Sequence, residues 1–113
     1  NKPIVFSLVK KLRLVNVDTL VANNGRNGLH VALAEKPDLI LLDIVMPIMS
    51  GIEMLETLRE DKWGRKVPVI ALTNLSDPYK EKHLRALGVK DILIKADTKI
   101  EEVIKKVKKV LHK

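Results

Sequence analysis

The chain has 113 residues, of which 46% are hydrophobic, and its formal net charge is +7. This length suits one small layered domain. The chain contains no cysteine, which excludes disulfides and cysteine-ligated metal sites, and no apolar run approaches the roughly 20 residues that a membrane-spanning helix needs. We therefore expect a cytoplasmic domain that does not enter a membrane.

The positive charge alone is compatible with a nucleic acid, an anionic surface or an acidic protein as partner. Only 3% of the residues are aromatic, so platforms on which bases could stack are scarce. The excess lysines lie near the C-terminus, on the polar face of a predicted helix, where solvent contact explains them. We do not expect direct binding to nucleic acid. These lysines are Lys105, Lys106, Lys108 and Lys109.

The first part of the chain alternates predicted helices and strands. Apolar residues at helical spacing from Val5 to Val15 predict a first helix, which Asn1 can cap. Asp18–Ala22 then has the composition of a short strand. Asn23-Asn24-Gly25 is typical of a turn, and the helix predicted after it ends before Pro37.

The next segment predicts a buried strand with a carboxylate at its end. Leu39 to Leu42 form an uninterrupted apolar run, which predicts a parallel strand covered on both faces, and Asp43 follows it directly. Ligands of open α/β sheets bind at the carboxyl ends of the strands. A carboxylate placed there is costly unless it meets a cation or takes part in a reaction. Asp43 is thus a candidate functional residue; the alternative is an aspartate that merely caps the next helix.

The second part of the chain repeats the alternation. The apolar run that begins at Val67 ends in Thr73, and the run Asp91–Ile94 is followed by Lys95. Strands that alternate with helices over short connections predict a parallel sheet with right-handed crossovers. Three helices are predicted here, namely Gly51 to about Lys62, Pro78 to Leu87 with Asp77 as its cap, and Ile100 to Leu111 with Thr98 as its cap.

The segment Leu41-Leu42-Asp43, Met46-Pro47 and Gly51, taken with Thr73 and Lys95, resembles the receiver domains of response regulators, the CheY-like family of two-component signalling. The resemblance implies an α/β fold, a flavodoxin-like doubly wound parallel sheet with strand order 2-1-3-4-5. Residues 1–113 would form a single receiver domain that is N-terminally incomplete. The family's first, central strand, which ends in an acidic pair, is missing from this chain.

The same resemblance implies a role for each site residue. Asp43 would be the phosphoacceptor, which a sensor histidine kinase or a phosphotransfer protein would phosphorylate in a phosphorelay. Thr73 would hydrogen-bond a phosphoryl oxygen, and Lys95 would pair with the phosphoryl group. Mg²⁺ would be bound by Asp43, the backbone carbonyl of Val45 and the acidic pair, so the loss of that pair puts Mg²⁺ binding by this chain in doubt. The domain would be a signalling domain and not an enzyme, although it would catalyse its own phosphorylation and hydrolysis.

Several residues depart from the family pattern. Ala96 replaces the usual proline after the lysine, so we expect a trans peptide bond. Ile92 stands where many relatives have a switching aromatic residue, so signal is expected to pass through the loop after Thr73 and the face of helix 78–87 to a downstream protein. By the resemblance, Val45 and Leu75 would flank the path of the hydrolytic water. Because both are apolar, we expect the acyl phosphate to decay slowly.

The missing strand has a structural consequence. It would leave Asp18–Ala22 and Leu39–Asp43 about 10 Å apart, which is two interstrand spacings. Three arrangements resolve this gap: a strand upstream of Asn1, closure of Asp18–Ala22 onto Leu39–Asp43, or exchange of a segment with a second copy in a strand-exchanged dimer.

Two other function classes compete with the phosphoacceptor. One is a degenerate receiver-like protein-binding module that does not use phosphate. The other is a small flavodoxin-like enzyme or nucleotide binder. Against the latter, the chain has no glycine-rich phosphate loop. Its three histidines, His30, His83 and His112, lie on predicted helices with no nucleophile beside them.

Overall fold

The computed structural model describes residues 2–46, 48–74 and 77–113. None of the helices in these ranges is long and apolar enough to cross a membrane. The elements, in chain order, are α1 (Lys2–Leu14), α2 (Gly25–Glu35), β1 (Ile40–Asp43), α3 (Gly51–Glu60), β2 (Val69–Thr73), α4 (Pro78–Ala86), β3 (Asp91–Ile94), a 3₁₀ turn (Lys95–Asp97) and α5 (Ile100–Leu111).

The three strands form a parallel sheet in the order β1-β2-β3. Asp43 of β1 is in register with Leu72 of β2, and Thr73 of β2 is in register with Ile94 of β3. The predicted α/β class and parallel sheet are confirmed. Each crossover between neighbouring strands carries a helix, as parallel pairing requires.

The central strand β2 is buried along its whole length and separates two apolar cores. Side chains alternate between the faces of a strand. Val69 and Ala71 therefore pack on one side, among residues of α2, α3 and α4 such as Leu55. Ile70 and Leu72 pack on the other side, against α1 and α5. This two-sided burial explains why the sequence of β2 is apolar throughout rather than alternating.

The helix starts follow local capping chemistry. Asp77 caps α4, because its carboxylate accepts hydrogen bonds from the amides of Tyr79 and Lys80, and Pro78 occupies the first turn as predicted. The prediction that Thr98 caps α5 is wrong by one residue, since Lys99 occupies the cap position and its amide donates a hydrogen bond to the Glu102 carboxylate. Helix α3 ends at Glu60, two residues before the predicted Lys62, and the predicted cap Asn1 lies outside the described residues.

The predicted strand Asp18–Ala22 is wrong. This segment has no regular secondary structure, and the ladders of the described sheet join only β1, β2 and β3. A strand exists only where a partner pairs with its backbone, and Asp18–Ala22 does not close onto β1. Instead, a cavity of about 450 Å³ is lined by both segments. The strand-exchanged dimer stays a prediction.

Arg59, in the last turn of α3, ties three chain segments together. Its Nε donates a hydrogen bond to the Leu87 carbonyl over 2.7 Å, and its Nη1 donates to the carbonyls of Gly64 (2.8 Å) and Val67 (2.7 Å). Partial burial lowers the pKa of the Arg59 guanidinium, which nevertheless stays charged at neutral pH. The fork geometry of the guanidinium lets one side chain satisfy three carbonyls, which a lysine cannot reproduce.

We predict that Arg59→Lys lowers the free energy of unfolding by about 2 kcal/mol, because carbonyls near the core lose a charged donor. Urea denaturation followed by far-UV circular dichroism measures the change. Arg65→Lys is the matched control, since Arg65 is exposed. Equal stability of the two variants would show that the three hydrogen bonds of Arg59 contribute nothing.

Candidate functional site

The three polar residues singled out by the sequence lie at one edge of the sheet. Asp43 is the last residue of β1, Thr73 is the last residue of β2, and Lys95 directly follows β3. The parallel register aligns these carboxyl ends, because Asp43 pairs with Leu72 and Thr73 pairs with Ile94. The edge therefore gathers a carboxylate, a hydroxyl and an ammonium group from three separate strands.

Asp43 and Lys95 are in direct contact. The Lys95 Nζ donates a hydrogen bond to the Asp43 Oδ2 over 2.7 Å, although 52 positions separate the two residues. The other carboxylate oxygen, Oδ1, accepts from the Val45 amide over 3.1 Å. About a quarter of each side chain is exposed, 28% for Asp43 and 23% for Lys95. The carboxylate is thus oriented by two donors and still open to a reactant from solvent.

Thr73 is buried, with 8% of its surface exposed. It lies one residue beyond Leu72, the register partner of Asp43, at the point where β2 leaves the sheet. Leu75 lies outside the described residues, so the structure places only Val45 of the two side chains predicted to flank a hydrolytic water. Val45 is 57% exposed.

The loop after Asp43 returns to the strand that it leaves. The Gly51 amide, at the start of α3, donates to the Ile44 carbonyl over 3.0 Å. A Cβ atom on Gly51 would lie 2.6 Å from the Asp43 carbonyl oxygen, so only glycine fits this approach. These two backbone contacts hold the start of α3 close to the end of β1, beside the carboxylate.

The donor set does not by itself make a magnesium site. Mg²⁺ needs about six oxygen ligands in near-octahedral geometry. Within the ranges that the structure describes, no three His, Cys, Asp or Glu side chains come together as a metal would require. Asp43 supplies one carboxylate, already bonded to Lys95, and the Val45 carbonyl is the second ligand that the sequence predicts. These two groups cover only part of such a coordination shell.

The peptide bond between Lys95 and Ala96 is trans, as predicted, because the described residues contain no cis bond. Lys95 begins a 3₁₀ turn rather than continuing β3. The sequence did not indicate this turn.

Residues 1–108 match the family described as "Response regulator receiver domain". The chain belongs to this family. Receiver domains are signalling domains of two-component response regulators, and they typically bind Mg²⁺ in their active site. The predicted family membership is confirmed.

Two relatives illustrate the similarity. The polar-differentiation response regulator DivK of Brucella anthropi is 38% identical over 71 residues, which are 63% of this chain and 58% of DivK. The protein PilH of Pseudomonas aeruginosa is 32% identical over 91 residues, which are 80% of this chain and 75% of PilH. The match to DivK thus spans little more than half of that relative's length.

A solved structure supports the fold. The receiver domain of the Francisella response regulator 1452 superimposes with a TM-score of 0.86 at 31% identity, over 99% of this chain and 90% of that one. The CheY-like, flavodoxin-like fold that the resemblance implied is therefore shown.

One feature of the site had no signal in the sequence. Ile48, in the loop after Asp43, has a φ angle of +70° and a side chain that is 70% exposed. Positive φ is strained for an L residue and uncommon for a β-branched one. This conformation therefore marks a point of local backbone strain in the loop.

We predict that Ile48→Asn raises the free energy of unfolding by about 1 kcal/mol, since asparagine tolerates the left-handed region and little apolar burial is lost. Chemical denaturation measures the gain. Val21→Asn is the control, because Val21 is 51% exposed and does not have a positive φ. A gain of the same size in both variants would contradict strain at Ile48.

Proposed function

We propose that the chain accepts a phosphoryl group on Asp43 from a sensor histidine kinase or a phosphotransfer protein, and then presents a changed surface to a downstream protein. The observation that carries this proposal is the 2.7 Å contact between the Lys95 ammonium and the Asp43 carboxylate at the carboxyl edge of the sheet. The pair joins a nucleophile to the cation that its reaction needs.

The reaction is a displacement at phosphorus. A carboxylate oxygen of Asp43 attacks the phosphorus of a phosphohistidine or of a small phosphodonor such as acetyl phosphate. The bond from phosphorus to the donor's nitrogen or oxygen breaks, and an acyl phosphate forms on Asp43. Lys95 stabilises the charge that spreads over the phosphoryl oxygens. Its ammonium is held in place by Asp43 before the donor arrives, so little reorganisation is needed.

Thr73 carries the change away from the site. Its hydroxyl would donate a hydrogen bond to a phosphoryl oxygen, and its backbone leads directly to Asn74 and, beyond the undescribed residues, to Asp77 at the cap of α4. Movement of Thr73 would therefore shift the start of α4. The face of helix 78–87 is the proposed partner surface, where Tyr79 is 88% exposed.

A binding module that does not use phosphate is the second candidate. It is favoured by the single carboxylate, Asp43, that the described residues bring to the site, since phosphoryl transfer normally relies on a divalent cation. Such a module would use the same α4 surface in a fixed form. Phosphorylation decides between the two candidates.

We predict that acetyl phosphate with Mg²⁺ adds one phosphoryl group to Asp43, and that Asp43→Asn abolishes the uptake. Intact-mass spectrometry measures it, on the chain alone and on the chain extended at its N-terminus by a receiver first strand with its acidic pair. We expect uptake by the extended form and little by the chain alone, because the pair supplies Mg²⁺ ligands.

Asp97→Asn is the matched control, because Asp97 is an exposed carboxylate at the same edge of the sheet. This variant should be phosphorylated like the parent. Uptake by Asp43→Asn would refute the choice of nucleophile. An extended form that takes up no phosphate would favour the fixed binding module.

A further prediction concerns the lifetime of the acyl phosphate. Val45→Asn places a polar side chain beside Asp43, where it can orient water, and we expect hydrolysis to accelerate by a factor of about ten. Loss of the added mass with time measures the decay. Val45→Ile keeps the position apolar and should decay like the parent, whereas equal decay in all three proteins would show that this side chain does not control water access.

A further inference from the structure

The first turn of α2 holds the loop that follows Asp43. The Gly25 amide donates a hydrogen bond to the Met49 carbonyl over 3.1 Å. The first amides of a helix have no partner within the helix. The side chain of the cap residue Asn24 accepts a hydrogen bond from the Asn27 amide, and the Met49 carbonyl accepts one from the Gly25 amide. A bond between two distant backbone segments thus satisfies one of the first amides of α2.

The contact leaves no room for a side chain. A Cβ atom on Gly25 would lie 2.1 Å from the Met49 carbonyl oxygen and 2.8 Å from the Met49 carbonyl carbon. Both are backbone atoms, so the loop itself would have to move. Gly28 provides the contrast on the same helix, since its Cβ would meet only side-chain atoms of Ala22 and Met54 at an ordinary 3.8 Å.

The loop that contains Met49 is short, and a hydrogen bond also closes it near Asp43. Residues 44–50 connect Asp43 to Gly51, and the Gly51 amide closes the loop onto the Ile44 carbonyl. Within it, the Val45 amide donates to the Asp43 Oδ1. Met49 and Val45 belong to this one closed loop, so we expect a displacement of Met49 to move the Val45 amide and, through it, the Asp43 carboxylate.

We propose that Gly25 is a positioning residue for the phosphoacceptor: by fixing the Met49 carbonyl, it sets the loop that orients the Asp43 carboxylate toward an incoming phosphoryl group. This inference rests on the proposed phosphorylation of Asp43. Gly25 touches neither donor nor phosphoryl group, and it acts only through the backbone of the loop.

The experiment compares Gly25→Ala with Gly28→Ala. Both variants are made in the N-terminally extended form described above, which we expect to take up a phosphoryl group from acetyl phosphate. We expect the maximal rate of uptake to fall at least about tenfold in Gly25→Ala, because small misplacements of a reacting group are costly. The donor concentration that gives half of this rate should change little. Gly28→Ala should keep the parental rate.

Folding is separated from positioning by measuring the uptake rate per folded molecule, with the folded fraction taken from denaturation curves. A purely structural role of Gly25 would lower stability and leave this rate unchanged. A parental rate in folded Gly25→Ala would therefore overturn the inference.

Amide hydrogen exchange gives a test that does not depend on phosphorylation. In the unsubstituted chain, we expect the Gly25 amide to exchange at least about tenfold more slowly than in an unstructured peptide, and Gly25→Ala to speed the exchange of the Val45 and Gly51 amides by a similar factor. Gly28→Ala should leave both unchanged. An unprotected Gly25 amide, or an unaltered loop in Gly25→Ala, overturns the inference even if Asp43 takes up no phosphate.

Discussion

The parallel register of three short strands is the constraint on which the site depends. Pairing of Asp43 with Leu72, and of Thr73 with Ile94, fixes where each strand leaves the sheet. Leu42 and Leu41 of β1 pack in opposite cores, so a shift of β1 by one residue would exchange the side chains that face each core. The same shift would withdraw Asp43 from Lys95. The burial of β2 on both faces resists such a shift, since Ile70 and Ala71 are anchored in opposite cores. The apolar cores thus keep Asp43, Thr73 and Lys95 aligned at one edge of the sheet.

The contact between Asp43 and Lys95 orients the carboxylate more than it stabilises the fold. Each charge gives up part of its hydration, and the attraction between two partly exposed charges offsets this cost only in part. Removal of Lys95 would leave the carboxylate with the Val45 amide as its described donor. What the pair provides is orientation: one carboxylate oxygen faces the cation and the other faces the loop. The same geometry is what a phosphoryl acceptor needs before its donor binds.

The sequence predicted the elements that depend on local capping residues or on the pattern of apolar residues. Asp77 with Pro78 predicted the start of α4, and the apolar runs ending at Asp43, Thr73 and Lys95 predicted the strands and the edge that they share. Asp18–Ala22 was predicted as a strand because composition reports strand propensity and cannot report a pairing partner. Ile48 and Gly25 were beyond prediction for a related reason. Gly25 closely approaches the Met49 carbonyl of a distant segment, and Ile48 has a positive φ angle that its residue type disfavours. Residue type alone indicates neither feature.

The unpaired rim of β1 bears on how the described sheet stays intact. A buried amide or carbonyl without a partner costs about 1–3 kcal/mol, so several of them would remove much of a small domain's stability. The cavity beside β1 has a volume of about 450 Å³ and is lined by Asp18–Ala22 as well as by β1. Polar groups on this rim therefore need partners, from water or from another polypeptide segment. Asp43 and Lys95 line the same cavity, so the space beside the rim of β1 also gives the carboxylate its open side.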